Sequence, residues 1–299
     1  MEKRNLVFIL YGGAMNGAFG AGVVTALQEA DIYSQIDTIY GISAGAHNAA
    51  YFLSQDTHQG ATIYYEDFAG GRFIHRDKLS SLWPKLFLNL FKKQHFEAVA
   101  DLDYSIKIEQ TSKRLKCERI PLSKIKFLVR VFNISKNKLE YLDATRGDIL
   151  LKIRASSAIM PFYPHPVKIG QNVYADSDSF VKKFDKSVEG QISKNKDKIF
   201  ILVFNHPLKY RDYFKRFLVG FFWAILSAFY FKDVSIVFKK TDIFEYFRLK
   251  KILKNTNTRC IASDIYTHNF CDDQEEIYKL YQHGLAKGRA FLADNQLSK

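Results

Sequence analysis

The sequence has few of the residues that are typical of disulfide-rich or linker-rich proteins. Its three cysteines, Cys117, Cys260 and Cys271, form no C-x-x-C pair, and an odd number argues against a disulfide framework. Proline is scarce, with 6 residues, and no internal repeat or Pro/Gly-rich linker divides the 299 residues. We therefore expect one domain over residues 1–299 and a reducing, cytoplasmic location.

Apolar runs of the length needed for export or membrane insertion are also lacking. The run from Leu6 to Tyr11 ends at two glycines and is too short for the core of a signal peptide. The apolar stretch "FLVGFFWAILSAFYF", Phe217–Phe231, falls short of the about 20 residues that a membrane-spanning helix needs. Two interpretations of it stay open: a core or partner-facing helix, and a helix within residues 214–233 lying in the lipid headgroups.

Negative charge is in deficit, because 44 Lys and Arg face 31 Asp and Glu, for a formal net charge of +13. This excess predicts an anionic partner. Nucleic acid is not expected, since no helix-turn-helix, zinc-finger or RNA-binding signature accompanies the charge. The segment 82–93, "LWPKLFLNLFKK", combines aromatic and basic residues as 214–233 does. Together they favour an anionic membrane surface as the partner and a peripheral membrane location.

Strand-like and helix-like segments alternate along the chain, which predicts an α/β layered fold. The expected strands are 5–11, 36–40, 127–132, 139–142, 172–175, 199–204 and 259–263. The expected helices are 17–30, 44–53, 242–253 and a C-terminal helix within 273–299.

The stretch "YGISAGAHNAA" contains G-x-S-x-G, a pattern too common to be evidence by itself. Its context is more specific, because Ser43 falls where a strand is expected to turn into a helix. Such a turn exposes the serine hydroxyl, and Gly41 and Gly45 allow the tight bend. The N–H of Ala44, at the start of the helix, can stabilise an oxyanion.

The earlier turn "YGGAMNGAFGAG" adds further N–H groups, from Gly12, Gly13 and Ala14. A dinucleotide is the rival ligand for such a turn, but G-x-G-x-x-G spacing is absent and the second strand ends without an acidic residue. No G-K-S/T is present, which excludes a P-loop.

Three blocks together, "YGGAMNGAFGAGV", "GISAGAHNA" and "RASSAIMPFYPHPVKIGQNVYADSDSF", resemble the patatin-like phospholipase family, and the rest of the chain resembles its bacterial intracellular branch. The resemblance implies a three-layer α/β/α fold with a mostly parallel central sheet. It also implies a lipid acyl hydrolase that acts on phospholipid or lysophospholipid without a cofactor. In that chemistry Ser43 is the nucleophile, Asp176 is the base, and Gly12, Gly13 and Ala14 form the oxyanion hole.

The sequence departs from the family pattern at several of these positions. Ala14 replaces a glycine, and its methyl group is tolerable if φ is negative. Asn16 replaces a basic residue. Ser177 follows the aspartate where the family has glycine, and it is strained if φ is positive there. Asp178 is therefore an alternative base, and a catalytically silent, membrane-binding protein is the alternative function.

Histidine and metal chemistry are not expected at the site. His206 would complete a Ser, Asp, His order, but Ser43 follows only the second strand, so we interpret His206 as a loop residue. His47 is interpreted as a packing or polar neighbour and His165 as exposed. No His, Cys and Asp cluster has metal-ligand spacing, so no metal is expected.

Overall fold

A computed structural model describes residues 5–78, 97–181, 186–208, 245–265 and 267–297, with the single position 225. The strands are β1 (Leu6–Leu10), β2 (Ile36–Gly41), β3 (Lys126–Asn133), β4 (Lys138–Asp143), β5 (Val167–Ile169), β6 (Asn172–Ala175), β7 (Ile199–Phe204) and β8 (Thr258–Ala262). The helices are α1 (Gly17–Glu29), α2 (Ala44–Leu53), α3 (Thr57–Thr62), α4 (Leu102–Gln110), α5 (Ile149–Ser157), α6 (Lys186–Lys194), α7 (Glu245–Leu253) and α8 (Gln274–Asp294).

The strands form one mixed sheet in the order β5-β6-β3-β2-β1-β7-β8, with β4 paired to β3. The five strands from β3 to β8 in this order are parallel to one another. The antiparallel strands β4, β5 and β6 are confined to one end of the sheet. The expected α/β fold with a mostly parallel central sheet is confirmed.

Helices cover both faces of the sheet, as the apolar sequence of β1 requires. Leu6, Phe8 and Leu10 join the larger core, which contains residues of α1, α2 and α8. Val7 and Ile9 point to the other face and join a smaller core with residues of α6 and α7. The two cores make three layers, α/β/α.

The last helix, α8, packs against α1 through glycines on both helices. A Cβ atom on Gly284 would lie 2.0 Å from the carbonyl oxygen of Phe19, and one on Gly22 would lie 2.1 Å from that of Tyr281. These distances are shorter than any real Cβ contact, so the two backbones approach each other only because these positions lack side chains.

The expected elements agree with the structure to within a few residues at each end. Residues 44–53, 172–175 and 199–204 form their elements with the expected bounds. The short strand β5 and the helices α3, α4, α5 and α6 were not assigned from the sequence. The segments 217–231, apart from position 225, and 82–93 lie outside the described residues.

Candidate active site

Ser43 occupies the turn between β2 and α2 in a backbone conformation that L-residues rarely adopt, with φ 52° and ψ −126°. The neighbouring glycines permit this turn. A Cβ on Gly45 would lie 2.1 Å from the Leu10 carbonyl oxygen, and one on Gly41 would lie 2.6 Å from Ala46 Cα. The G-x-S-x-G pattern is therefore a packing requirement of this turn, which holds a strained serine at the end of the sheet.

The glycine-rich turn after β1 lies directly beside this serine. A Cβ on Gly12 would lie 2.8 Å from Ser43 Cβ and 3.5 Å from Ser43 Oγ. Within the described part of the chain, the N–H groups of Gly13, Ala14 and Ala44 donate no hydrogen bond to the protein. Among the described residues, three amide donors in or beside these two turns are thus available to a bound ligand.

Ala14 corrects one sequence expectation. Its φ is +49°, in the left-handed region. The condition stated from the sequence, a negative φ at which the methyl group is tolerable, is therefore not met. A residue other than glycine in this region costs the folded state about 1–2 kcal/mol. The turn keeps this conformation at that cost.

Asn16, at a position where the family has a basic residue, anchors the same turn through hydrogen bonds of its side chain. It is buried, and its Nδ2 donates to the Thr267 carbonyl oxygen at 2.9 Å and to Asn269 Oδ1 at 2.8 Å. The Met15 N–H donates to the Asn269 carbonyl oxygen at 3.2 Å. His206 lies in the loop after β7 and is buried, with Nδ1 3.4 Å from Asn16 Nδ2. The turn is thereby fixed to the segment that precedes α8.

Asp176 follows β6, and the sheet register brings that end of β6 toward Ser43. Strand β4 pairs with one edge of β3 over residues 128–133, so β2 and β6 must both pair with the opposite edge of β3. Gly41 lies opposite Val129, and Ala175 lies opposite Phe132. The two strand ends therefore approach each other along one side of β3, separated by three residues, or about 10 Å. Ser43 and Asp176 both follow into this gap.

Helix α5 holds both residues in place at its C-terminal end. The Ser43 N–H donates to Ser156 Oγ at 2.9 Å, and that hydroxyl donates to the Arg130 carbonyl oxygen at 2.8 Å. The Asp176 N–H donates to the Ala158 carbonyl oxygen at 3.0 Å. In the described part of the chain no direct hydrogen bond joins Ser43 Oγ to Asp176. Catalytic hydrogen bonds are often long before substrate binds.

The two candidate bases have different surroundings. Asp176 is fully buried, and its Oδ1 accepts the Asp178 N–H at 2.8 Å. Asp178 is 16% exposed, and its Oδ1 lies 3.9 Å from Nη1 of the fully buried Arg130. Ser177 is not among the residues with positive φ, so the strain considered for this position is absent. The backbone accommodates D-S-D without the glycine that the family has.

A second polar group, unforeseen from the sequence, lies one helical turn beyond Ser43. His47 Nδ1 lies 2.5 Å from Oε1 of the buried Glu109, and His47 Nε2 lies 2.9 Å from Ser157 Oγ. The interpretation of His47 as a polar neighbour fits this, but its partners belong to α4 and α5. Glu109 could not be found from sequence, because a charged residue in an amphipathic helix is normally exposed.

Ser43, Ala14 and the His47 group open onto one cavity, which we call the serine cavity. Its other walls are mostly apolar and are formed by Ala44, Tyr51, Ile63, Tyr64, Phe68, Phe73, Ile74, Ala100, Leu102, Ile159 and Phe270. Burial raises the pKa of both Tyr51 and Tyr64, so both phenols stay neutral. The Tyr64 hydroxyl lies 3.1 Å from Asn48 Oδ1, and the Tyr51 hydroxyl donates to the Lys113 carbonyl oxygen at 2.5 Å.

The described residues contain no cluster of three or more His, Cys, Asp or Glu side chains that could hold a metal ion. His165 is exposed. None of Cys117, Cys260 and Cys271 forms a disulfide bond. Within the described ranges no helix is long and apolar enough to cross a bilayer.

Known proteins resemble this chain in structure and in sequence. Two solved structures align at 13% identity: VipD from Legionella pneumophila, with a TM-score of 0.48 over 97% of this chain and 67% of VipD, and the heterodimeric ExoU–SpcU complex from the type III secretion system of Pseudomonas aeruginosa, with a TM-score of 0.41 over 98% of this chain and 52% of that chain. A search of curated proteins finds no match. A family model described as patatin-like phospholipase matches residues 8–177, more than half of the 299 residues. This match runs from β1 through the Ser43 turn to Asp176, and the chain therefore belongs to the patatin-like phospholipase family, a family of lipid hydrolases.

Proposed function

We propose that the protein is a serine lipid acyl hydrolase of the phospholipase A or lysophospholipase type, with Ser43 as nucleophile and Asp176 as base. The observation that carries the proposal is the convergence of the strained Ser43 turn and the buried Asp176 along one side of β3. Ser43 Oγ attacks the ester carbonyl carbon while Asp176 accepts its proton. The proton passes to the leaving alcohol, and water then hydrolyses the acyl-enzyme.

The oxyanion of the tetrahedral intermediate would be bound by backbone donors of the glycine-rich turn, which comprises Gly12, Gly13 and Ala14. Within the described ranges the N–H groups of Gly13, Ala14 and Ala44 donate no hydrogen bond, which supports this role, as does the contact of Gly12 with the serine. Fixed donors stabilise the developing charge without reorganisation, and the loss of one oxyanion-hole donor typically costs about 10²–10³ in kcat. The anchoring of the turn by Asn16 supports such preorganisation.

An acyl chain is the part of a lipid that fits the serine cavity, because its walls are aliphatic and aromatic and its phenols stay neutral. The ester carbonyl would lie at Ser43 with the chain extending between α2, α3 and α4. This supports an acyl ester of phospholipid or lysophospholipid as the substrate class, without a cofactor.

We infer from the sequence that the protein works at an anionic membrane surface as a cytoplasmic, peripheral protein of one domain. The net charge of +13 and the segments 214–233 and 82–93 motivate this proposal. Sedimentation with anionic but not with zwitterionic vesicles, weakened by added salt, is the expected result. Equal sedimentation with both vesicle types would contradict it.

A catalytically silent membrane-binding protein is the second candidate, because "ADSDS" replaces the family's D-G-G. A fluorophosphonate probe with peptide mapping separates the two candidates. Rapid covalent capture at Ser43 of the folded protein supports the hydrolase, and its absence supports the silent protein.

The matched variants Asp176→Asn and Asp178→Asn identify the base. Loss of a general base lowers the rate by about 10²–10⁴, so we expect Asp176→Asn to reduce ester turnover by that factor and Asp178→Asn to reduce it far less. Thermal melting of both variants controls for folding, since Asp178 lies near the buried Arg130. The reverse ranking of the two variants would assign the base to Asp178.

A further inference from the structure

We propose that Ser157 is a second activated serine of the serine cavity, with His47 as its base and Glu109 as the carboxylate that orients His47. The three side chains form a continuous array, with 2.9 Å between Ser157 Oγ and His47 Nε2 and 2.5 Å between His47 Nδ1 and Glu109 Oε1. These are the two contacts that define a Ser-His-acid triad on any fold, since such triads are recognised by geometry and not by chain order.

The hydrogen bonds fix the direction in which protons move. Glu109 is 2% exposed, and an ionised carboxylate can only accept, so we assign the proton of His47 to Nδ1. His47 Nε2 is then the acceptor, and the Ser157 hydroxyl donates to it. This tautomer is the one that a general base for serine requires.

The adjacent serines Ser156 and Ser157 have different partners, which indicates that Ser157 does more than fill space in the core. Ser156 Oγ accepts one hydrogen bond and donates another, both to neighbouring strands and turns, and is fully buried. The Ser157 hydroxyl has His47 as its partner and faces the serine cavity. Glu109 Oε2 is buried without a hydrogen-bond partner among the described residues. A buried polar atom without a partner is costly, and hydrogen bonds that serve only to stabilise a fold normally leave none.

The reaction that the array supports is acyl transfer from an ester. Ser157 Oγ forms a bond to the carbonyl carbon as its proton passes to His47 Nε2. His47 returns that proton to the alkoxide as the ester C–O bond breaks. Water then attacks the acyl group, giving its proton to His47, which passes it to Ser157 Oγ. The ligand class is a carboxylic ester whose acyl chain fills the apolar walls of the cavity.

Ser157 lies at the C-terminal end of α5, where helix carbonyl groups, not N–H groups, are presented. It therefore has no helix N-terminus comparable with the one at Ser43. Without a similar oxyanion hole, its reaction is expected to be about 10²–10³ times slower than that of Ser43. The two serines should thus separate into a fast and a slow phase of labelling.

The test is labelling by a fluorophosphonate probe in the Ser43→Ala variant, where only the slow phase can remain. The tryptic peptides are distinct, because residues 5–72 carry Ser43 and residues 155–168 carry Ser157. We expect slow modification of peptide 155–168, abolished by Ser157→Ala and slowed at least 100-fold by His47→Gln, all in the Ser43→Ala background. Ser105→Ala is the matched control, since Ser105 also lines the cavity and is buried.

Two results would overturn the proposal. The first is a folded Ser43→Ala protein, with the melting curve of the parent, in which peptide 155–168 stays unmodified. The second is modification of Ser157 at an unchanged rate in His47→Gln, which would make the array a purely structural tie between α2, α4 and α5. Neither result bears on labelling of peptide 5–72 in the parent, so a failure of the Ser43 hydrolase is distinguishable from a failure of this inference.

Discussion

Replacement of Ser43 by glycine should make the protein more stable while removing its proposed nucleophile. Ser43 has φ 52° and ψ −126°, a region that costs an L-residue about 1–3 kcal/mol. Glycine adopts this conformation without that cost but loses about 0.5–1 kcal/mol of additional chain entropy on folding. The net expected gain in the free energy of unfolding is about 0.5–2 kcal/mol.

The matched control is Ser43→Ala, which removes the hydroxyl but keeps a Cβ at positive φ. The Ser43 N–H bond to Ser156 Oγ is a backbone interaction and is present in both variants. Urea denaturation monitored by circular dichroism measures the difference, and fluorophosphonate labelling should show that both variants lose the fast phase. If the glycine variant is no more stable than the alanine variant, the turn stores no strain and the reasoning is wrong.

Three further predictions concern α8 and α6. Gly284→Ala should destabilise the protein by about 1–3 kcal/mol or abolish folding, because the methyl group would meet the Phe19 carbonyl oxygen. Gly190→Ala in α6, where a Cβ meets nothing within 4 Å, should stabilise it by about 0.4–1 kcal/mol in the same melting experiment; equal effects would contradict the packing argument. Burial lowers the pKa of His283 below its usual 6.5, and its Nε2 accepts the Asp264 N–H at 3.3 Å. The imidazole of His283 therefore binds a proton more tightly in the unfolded chain than in the folded one. Its contribution to the free energy of unfolding is complete above about pH 6.5 and falls as pH drops through the lower folded pKa. In urea titrations from pH 8 to 5.5, the free energy of unfolding should depend less steeply on pH for His283→Gln than for the parent.

Features that depend on neighbouring residues in sequence were predictable. The strand-turn-helix around Ser43 follows from apolar runs and glycine positions within twenty residues, and α2 has the expected bounds. The C-terminal helix follows from its apolar periodicity, which marks the face that is buried in α8. Local propensity and tertiary packing agree in these segments, so one predicts the other.

Features that depend on distant residues were not predictable. Glu109 is buried because His47 lies beside it, 62 residues earlier in the chain, and no local pattern reports that contact. The positive φ of Ala14 likewise follows from the tertiary position of its turn, since alanine itself disfavours that conformation. The pairing of Asp176 with Ser43 was expected from the family resemblance alone, because the register of β6 on β3 depends on the length and direction of strands that propensity cannot fix.

The anchoring of the glycine-rich turn has a consequence for the order in which the protein becomes competent during its synthesis. The turn at residues 12–16 leaves the ribosome early, but its hydrogen-bond partners Thr267 and Asn269 are made more than 250 residues later. At about 5–20 residues per second, that interval lasts on the order of 12–50 seconds. During it Ser43 is present without an anchored turn. The turn that is proposed to bind the oxyanion therefore acquires its hydrogen-bond partners only after the segment that precedes α8 has been synthesised.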